Sequence, residues 1–175
     1  MATADKCFID TCRRYLHAEY LPRIRRCLDM LSEEDIWWRP NAGSNSVGNL
    51  VLHLSGNIRQ WIASGVGGRP DIRERAREFA ADGEHDGAEW DRAHLLSHLE
   101  TTLAEVDEAL AELSPVDLLR PTVIQGMDVT YLEAVFHAVE HFSMHTGQII
   151  YITKQRTGAD LRFYDVRDGI ATRNW

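Results

Sequence analysis

The chain has 175 residues, with 19 Lys or Arg and 27 Asp or Glu, and its formal net charge is −8. Affinity for a nucleic-acid backbone comes from Lys and Arg that displace counterions from phosphates, so this balance argues against a nucleic-acid partner. The hydrophobic content of 44% and charged content of 26% are typical of a folded protein, and the length predicts one domain over residues 1–175.

Apolar residues at helical spacing predict a first helix over residues 5–31, which Pro22 should kink or split. Residues 32–45 are predicted to form a loop with a helical turn. A second helix is predicted over residues 46–64, and the glycine-rich run Gly65-Val-Gly67-Gly68 follows it. Because this run follows a helix and not a strand, it indicates a helix end and a turn rather than a phosphate-binding loop.

The second half of the chain continues the helical pattern. Residues 69–87 are charged and weakly periodic, which predicts a loop with some helix. Residues 88–113 carry a stripe typical of an amphipathic helix, formed by Leu96, Leu99, Leu103, Val106, Leu110 and Leu113. An extended segment is predicted over 120–129, a fourth helix over 130–156, and a further extended segment near 161–164. Four long amphipathic helices predict an all-α fold, a four-helix bundle with loop insertions.

Cellular location is inferred from the N-terminus and the cysteines. The first residues form no basic-then-apolar leader, and no apolar run approaches the roughly 20 residues that span a bilayer. Cys7, Cys12 and Cys27 are odd in number, clustered and without C-x-x-C spacing, which argues against a disulfide framework. We expect a cytoplasmic protein with no membrane partner, whose cysteines pack as small apolar residues.

Two histidines of the third predicted helix, His94 and His98, lie four residues apart and therefore on one face. On a helical wheel they lie opposite the leucines of the stripe. The prediction is that both face water, and the alternative is a metal site at the surface.

Three histidines follow one another at spacings of four on the fourth predicted helix: His137, His141 and His145. On the wheel, His145 projects well away from the charged strip formed by Glu133, Glu140 and Lys154, His141 less so, and His137 lies closest to it. Buried imidazoles without partners are costly, and one metal ion satisfies two of them at once. Core histidines bonded to backbone or water are the alternative interpretation.

The second predicted helix carries a polar, uncharged stripe beside its apolar face, which is typical of a pocket or a hydrogen-bond network. The stripe consists of Asn49, His53, Asn57 and Gln60. Helices two and four of a bundle can face each other, which brings His53 to His141 and His145. His53 is then available as a third metal ligand, although taken alone it is more typical of a hydrogen-bonded histidine at the boundary of the core.

These residues also carry a resemblance to a known family. The stretch Asn49-Leu-Val-Leu-His53-Leu-Ser-Gly-Asn57 resembles the first metal-ligand segment of the DinB-like superfamily, and His141-Phe-Ser-Met-His145-Thr-Gly-Gln-Ile149 resembles its H-x-x-x-H-x-G-Q-I ending. The resemblance implies a metal-binding four-helix bundle with ligands at His53, His141 and His145. Some members are transferases that use low-molecular-weight thiols, including mycothiol-dependent maleylpyruvate isomerases and bacillithiol S-transferases. This sequence has no motif specific to either substrate.

Three neutral imidazoles leave a divalent ion with its full charge and an open coordination position, as in catalytic sites. Imidazole suits Zn²⁺ and Ni²⁺, so zinc or nickel is the expected cofactor. The resemblance implies a low-molecular-weight thiol as a second. Four further residues are predicted to line the pocket or to hydrogen-bond to the ligands or substrate: His137, Asn57, Gln60 and Gln148.

Two functional classes stay open at this point. One is a metal-dependent S-transferase or hydrolase that acts on a small electrophilic substrate, and the other is a non-catalytic metal-stabilised bundle with a stress-related or interaction role. A rival motif, His137-Ala-Val-Glu140-His141, matches the H-x-x-E-H pattern of one class of zinc proteases, but Glu140 lies in the charged strip. Aromatic and Met residues on several faces are compatible with a homodimer.

Overall fold

The predicted four-helix bundle is confirmed in a computed structural model that describes residues 3–83 and 90–175. Within this part of the chain, the first bundle segment consists of α1 (Ala4–Tyr15), a π-helical turn (Leu16–Tyr20) and α2 (Leu21–Met30). The second segment is α4 (Val47–Ile58), continued by a π-helical turn (Arg59–Ser64). The third and fourth are α6 (Arg92–Glu112) and α7 (Tyr131–Thr157).

Pro22 has the predicted effect on the first segment. Proline lacks an N–H group and crowds the preceding turn of an α-helix. The chain accommodates it by widening the turn directly before Pro22, where the Leu21 N–H donates to the Leu16 carbonyl, five residues back. The helix therefore continues through the proline with a local change of pitch.

The second bundle segment begins where the sequence predicts, with Ser46 as the residue that caps α4. Ser46 and Asn49 form a reciprocal pair of side-chain-to-backbone hydrogen bonds that caps the first turn of α4, and both residues are buried. At its other end, Gly68 takes a left-handed conformation with φ of 71°, which ends the helix in a turn. The glycine-rich run is thus a helix end, as predicted.

The third helix differs in detail from the prediction. It begins at Arg92, with Asp91 accepting a hydrogen bond from the His94 N–H, and the predicted start at Ala88 lies outside the described residues. The buried stripe contains Leu95, whereas Leu96, which was predicted to lie on it, is only half-buried. At the start of the stripe, the buried leucine is therefore Leu95, one residue earlier than predicted.

The last bundle helix has strong signals at both ends. Thr130 and Glu133 form a reciprocal capping pair at its start, and Gly158 ends it with φ of 63° while its N–H donates to the Lys154 carbonyl. Both bounds are within one residue of those predicted.

Shorter elements connect the bundle helices. A short helix, α3 (Glu33–Trp37), lies in the predicted loop, and α5 (Arg75–Ala80) lies in the charged segment after the second helix. A 3₁₀ turn over Pro115–Leu119 leads into the first of the two antiparallel hairpins in the described part of the chain. The strands are β1 (Pro121–Ile124), β2 (Met127–Thr130), β3 (Tyr164–Arg167) and β4 (Ile170–Arg173).

The second hairpin is a correction, because the extended segment was predicted near 161–164. It starts at Tyr164, and its turn residues Asp168 and Gly169 have φ of 52° and 77°. An Asp-Gly pair is a strong hairpin signal that the prediction did not use. Beyond β4, the Trp175 indole N–H donates to the Ala18 carbonyl in the π-helical turn of the first bundle segment at 2.8 Å.

The site depends on α4, which packs against α5, α6 and α7. Its apolar residues, including Leu50, Leu54 and Ile58, belong to one hydrophobic core that also contains Phe142 of α7. Burial of such residues supplies most of the driving force for folding. Among the described helices, none combines the length and apolar character that a membrane crossing needs.

Candidate metal centre

The packing of α4 against α7 brings the three predicted ligand histidines together. The Nε2 atom of His141 lies 3.2 Å from Nε2 of His53 and 3.1 Å from Nε2 of His145. One nitrogen from each ring lies within 4.8 Å of the other two. Nitrogens that share one tetrahedral zinc ion at 2.0–2.1 Å lie roughly 3.3 Å apart, so these separations match a common ion.

The Nδ1 atoms of His145 and His53, which face away from the centre, each lie beside a hydrogen-bond acceptor. His145 Nδ1 is 2.7 Å from Oε1 of Gln148, and His53 Nδ1 is 2.9 Å from Oε2 of Glu78. Both oxygens are acceptors, so a proton on each Nδ1 completes these two hydrogen bonds and leaves each Nε2 atom with a lone pair toward the centre. His141 Nε2 has at most one proton to offer, so the three nitrogens cannot satisfy one another fully. A single cation would satisfy all three lone pairs.

Electrostatics at the centre favours neutral imidazoles. Burial, together with the neighbouring rings of His145 and His53, lowers the pKa of His141 to about 3. Burial also lowers the pKa of His145, although its hydrogen bond to Gln148 opposes this. Neutral rings at neutral pH are the state in which histidine can donate a lone pair to a metal.

A buried ion pair supports His53 from outside. Arg73 donates from Nε to Oε1 of Glu78 at 2.7 Å and from Nη2 to Oε2 at 2.8 Å, in a bidentate arrangement. Burial opposes ionisation of Glu78, but the hydrogen bonds from Arg73 and His53 hold its pKa below the ordinary value. The carboxylate is therefore charged at neutral pH and accepts the proton of His53 Nδ1.

The segment that carries this pair is anchored on α4. The Asn49 amide donates to the carbonyls of Glu78 and Ala81 at 3.0 and 2.8 Å. Gly56 leaves room for the carboxylate, because a Cβ at this position would overlap Oε1 of Glu78. Asn49 and Gly56 thus have positional roles that the sequence alone did not assign to them.

Sequence reasoning missed Arg73 and Glu78. They lie in the segment that was predicted only as a loop with some helix, 20 and 25 residues from His53. The available signal was Gly56, a glycine in a helix interior, which often marks a close approach by another group.

The four residues predicted to surround the ligands have different positions. Gln148 accepts from His145, as described above, and Gln60 accepts from Arg73 Nη1 at 2.9 Å. The ring of His137 contacts Trp61 in a tilted arrangement, with centroids 4.2 Å apart and planes at 48°, and lies 5.7 Å from the ring of His141. Asn57 is buried, and its Oδ1 has no hydrogen-bond partner among the described residues.

The exposure of the side chains tests the predictions for the other two histidine patterns, the pair His94 and His98 and the protease-like motif. His94 is exposed, as predicted, but His98 is half-buried, with its ring 5.2 Å from that of Trp90. The prediction that His98 faces water is therefore wrong, and burial lowers its pKa. Glu140 of the rival protease motif is exposed, as the charged strip predicted.

A cavity of about 320 Å³ lies between α4, α5 and α6. Its wall includes Arg73 and Glu78, together with Gly56, Gln60 and His98. The ion pair behind His53 is thus also part of the lining of a pocket that opens to solvent. This volume is at the lower end of the range for small-molecule pockets.

Comparison with known proteins identifies the fold. A DinB-like protein from Bacillus cereus ATCC 10987 has a TM-score of 0.63 and 18% identity, over 79% of this chain and 87% of that chain. A DinB-like protein from Bacillus subtilis has a TM-score of 0.62 and 18% identity, over 86% of this chain and 93% of that chain. These likenesses confirm the predicted resemblance at the level of the fold.

No curated protein is significantly similar in sequence to this chain. The family described as protein of unknown function (DUF1572) matches residues 5–169, which is nearly the whole chain. The protein with this three-histidine cluster on a DinB-like bundle therefore belongs to the DUF1572 family.

Proposed function

We propose that this protein binds a divalent metal ion through His53, His141 and His145 and uses it in a reaction of a small electrophilic substrate, as an S-transferase or a hydrolase. The observation that carries the proposal is the convergence of three imidazole rings, with Nε2 of His141 at 3.2 Å from Nε2 of His53 and at 3.1 Å from Nε2 of His145, and one nitrogen of each ring within 4.8 Å of the other two. Zinc is the first candidate and nickel the second, because imidazole suits both ions.

The chemistry of such a site follows from its donor set. A divalent ion held by three neutral ligands keeps its charge and, when bound, lowers the pKa of a coordinated water or thiol toward neutrality. A low-molecular-weight thiol is the expected co-substrate for transfer, and water is the expected one for hydrolysis.

The chain's own residues would then orient the ligand rings and bind the substrate. Glu78 and Gln148 hold the rings of His53 and His145 at their Nδ1 protons. His137, which lies one helical turn before His141, is assigned to substrate contact or to proton transfer. The net charge of −8 disfavours a nucleic-acid partner and is compatible with the small molecule proposed here.

The test is the metal content of untagged protein, measured by elemental analysis after incubation with Zn²⁺ or Ni²⁺ and gel filtration. We expect about one ion per chain in the wild type and none in the H53A/H141A/H145A variant. The matched control is His94→Ala, which removes an exposed histidine of α6 and should leave the metal content unchanged. A wild type that takes up neither ion overturns the proposal.

Catalysis is separated from a purely structural metal by His145→Ala. The His145 side chain is only half-buried, so its removal should cost little stability in the metal-free protein. Loss of thiol-transfer or hydrolytic turnover with an unchanged metal-free melting temperature supports the enzyme. A metal-bearing wild type that is inactive toward a panel of small electrophiles, with or without thiols, favours the metal-stabilised bundle.

A further inference from the structure

The buried pair Arg73–Glu78 contacts the metal centre without supplying a ligand. Its side chains are 4% and 9% exposed, and each partner uses two atoms in the contact. Burying two charges is costly unless their geometry is close to ideal, and a purely structural role is often served as well by apolar residues. The arrangement therefore calls for a specific explanation at this position.

We infer that Glu78 and Arg73 are positioning residues that decide which nitrogen of His53 faces the metal with a lone pair. The inference rests on the proposed function, since it assigns the pair a role toward the metal. Glu78 would hold the proton of His53 on Nδ1, and the bidentate contact with Arg73 would hold the Glu78 carboxyl group in place.

Arg73 and Glu78 compete for a hydrogen bond with the same nitrogen of His53. Arg73 Nη2 lies 3.1 Å from His53 Nδ1, the same atom that Glu78 Oε2 contacts at 2.9 Å. Arginine can only donate hydrogen bonds, whereas an ionised carboxylate can only accept them. If Arg73 donated to Nδ1, the ring proton would move to Nε2, which faces His141, and the lone pair needed by a metal would be lost.

The carboxylate decides this competition in favour of the metal-binding tautomer. Glu78 accepts from both neighbours, so Arg73 Nη2 donates to Oε2 at 2.8 Å and His53 Nδ1 donates to the same oxygen. Gly56 provides the space in which the carboxylate lies, and Asn49 fixes the backbone of Glu78. The tautomer is thus set before any ion arrives.

The experiment compares Glu78→Met with the wild type and with a matched control, Glu74→Met. Glu74 lies four residues earlier and is exposed. Affinity for Zn²⁺ alone is measured by competition with a chromophoric chelator, and the His53 tautomer of the metal-free protein by long-range ¹H–¹⁵N NMR. We expect E78M to bind Zn²⁺ about 10- to 100-fold more weakly and to carry its His53 proton on Nε2. E74M should match the wild type in both.

A double variant, R73M/E78M, separates positioning from folding, because it removes the competing donor together with the buried charge that E78M leaves unpaired. We expect it to recover part of the Zn²⁺ affinity and part of the Nδ1–H tautomer. An E78M variant that keeps the wild-type tautomer overturns the inference, whether its affinity is unchanged or falls only with its folded fraction. A wild type that binds no Zn²⁺ overturns the proposed function as well, so the two failures are distinguishable.

Discussion

The lack of a side chain at Gly56 leaves room for the carboxylate of Glu78 beside the candidate metal centre. A Cβ at Gly56 would overlap Oε1 of Glu78 and lie 2.8 Å from its Cδ and 3.1 Å from Nε of Arg73. Glycine in a helix interior ordinarily costs roughly 0.5–1 kcal/mol relative to alanine. At this position the glycine leaves the space that the Glu78 carboxylate occupies.

We therefore expect Gly56→Ala to lower the free energy of unfolding by roughly 1–3 kcal/mol, because the carboxylate must move from a close-packed position. The measurement is urea denaturation monitored by circular dichroism. An unchanged or raised stability would show that the Glu78 carboxylate does not need this space.

Gly147 provides the opposite expectation on α7. A Cβ at this position meets no described atom within 4 Å, so Gly147→Ala should gain helix propensity without a clash. We expect its free energy of unfolding to rise by roughly 0.5–1 kcal/mol in the same urea experiment. A loss of stability at this exposed position would contradict the packing described for α7.

At the scale of elements, the contact between α1 and α6 includes a bidentate ion pair. Arg13 donates to the two oxygens of Asp107 at 2.7 and 2.8 Å, and these hydrogen bonds hold the pKa of Asp107 below its ordinary value despite some burial. A carboxyl group with a lowered pKa stabilises the folded state above its unfolded-state pKa of about 3.9, and this stabilisation is lost as the pH falls through the folded-state pKa.

Asp107→Asn should therefore be less stable than the wild type at pH 7, and the difference should shrink as the pH falls below about 4. Both side chains are about one-third exposed, so after solvent screening we expect only about 0.5 kcal/mol. Urea midpoints of the two proteins between pH 3 and pH 7 test this. Glu112→Gln, at the exposed end of the same helix, is the control, and a pH-independent difference for D107N would contradict the ion-pair explanation.

Elements also show what sequence alone can predict and what it cannot. The bundle helices were predictable because periodicity, capping residues and glycine ends are local signals, and the pair His141 and His145 was predictable because i, i+4 spacing is local too. Glu78 was not, because its contact with His53 depends on how a weakly periodic segment folds back on α4. His98 was wrongly placed in water because the wheel says nothing about Trp90, which comes from outside the helix.

At the scale of the whole molecule, metal binding and folding are linked. An ion that binds only the folded state adds about 2.7 kcal/mol of stability at a concentration 100 times its dissociation constant. For a chain of this size that corresponds to a rise of about 5–10 °C in melting temperature.

We expect added Zn²⁺ to raise the melting temperature of the wild type in this range, EDTA to reverse the rise, and the H53A/H141A/H145A variant to show none. Differential scanning calorimetry measures all three. The rise will fall below the calculated value to the extent that His141 and His145 bind zinc in the unfolded chain. An equal rise in the variant would place the stabilising ion elsewhere on the protein.

The separation of the ligands along the chain has a consequence for the order of events during synthesis. His53 and His141 are 88 positions apart, whereas His141 and His145 leave the ribosome within four residues of each other. Contacts between distant residues form late because the intervening loop must close first. A nascent chain that has released α4 but not α7 has only one of the three imidazoles, so it offers an ion no chelate. Tight uptake of metal would therefore mark the moment when the last helix docks, and it would act as a natural reporter of completed folding.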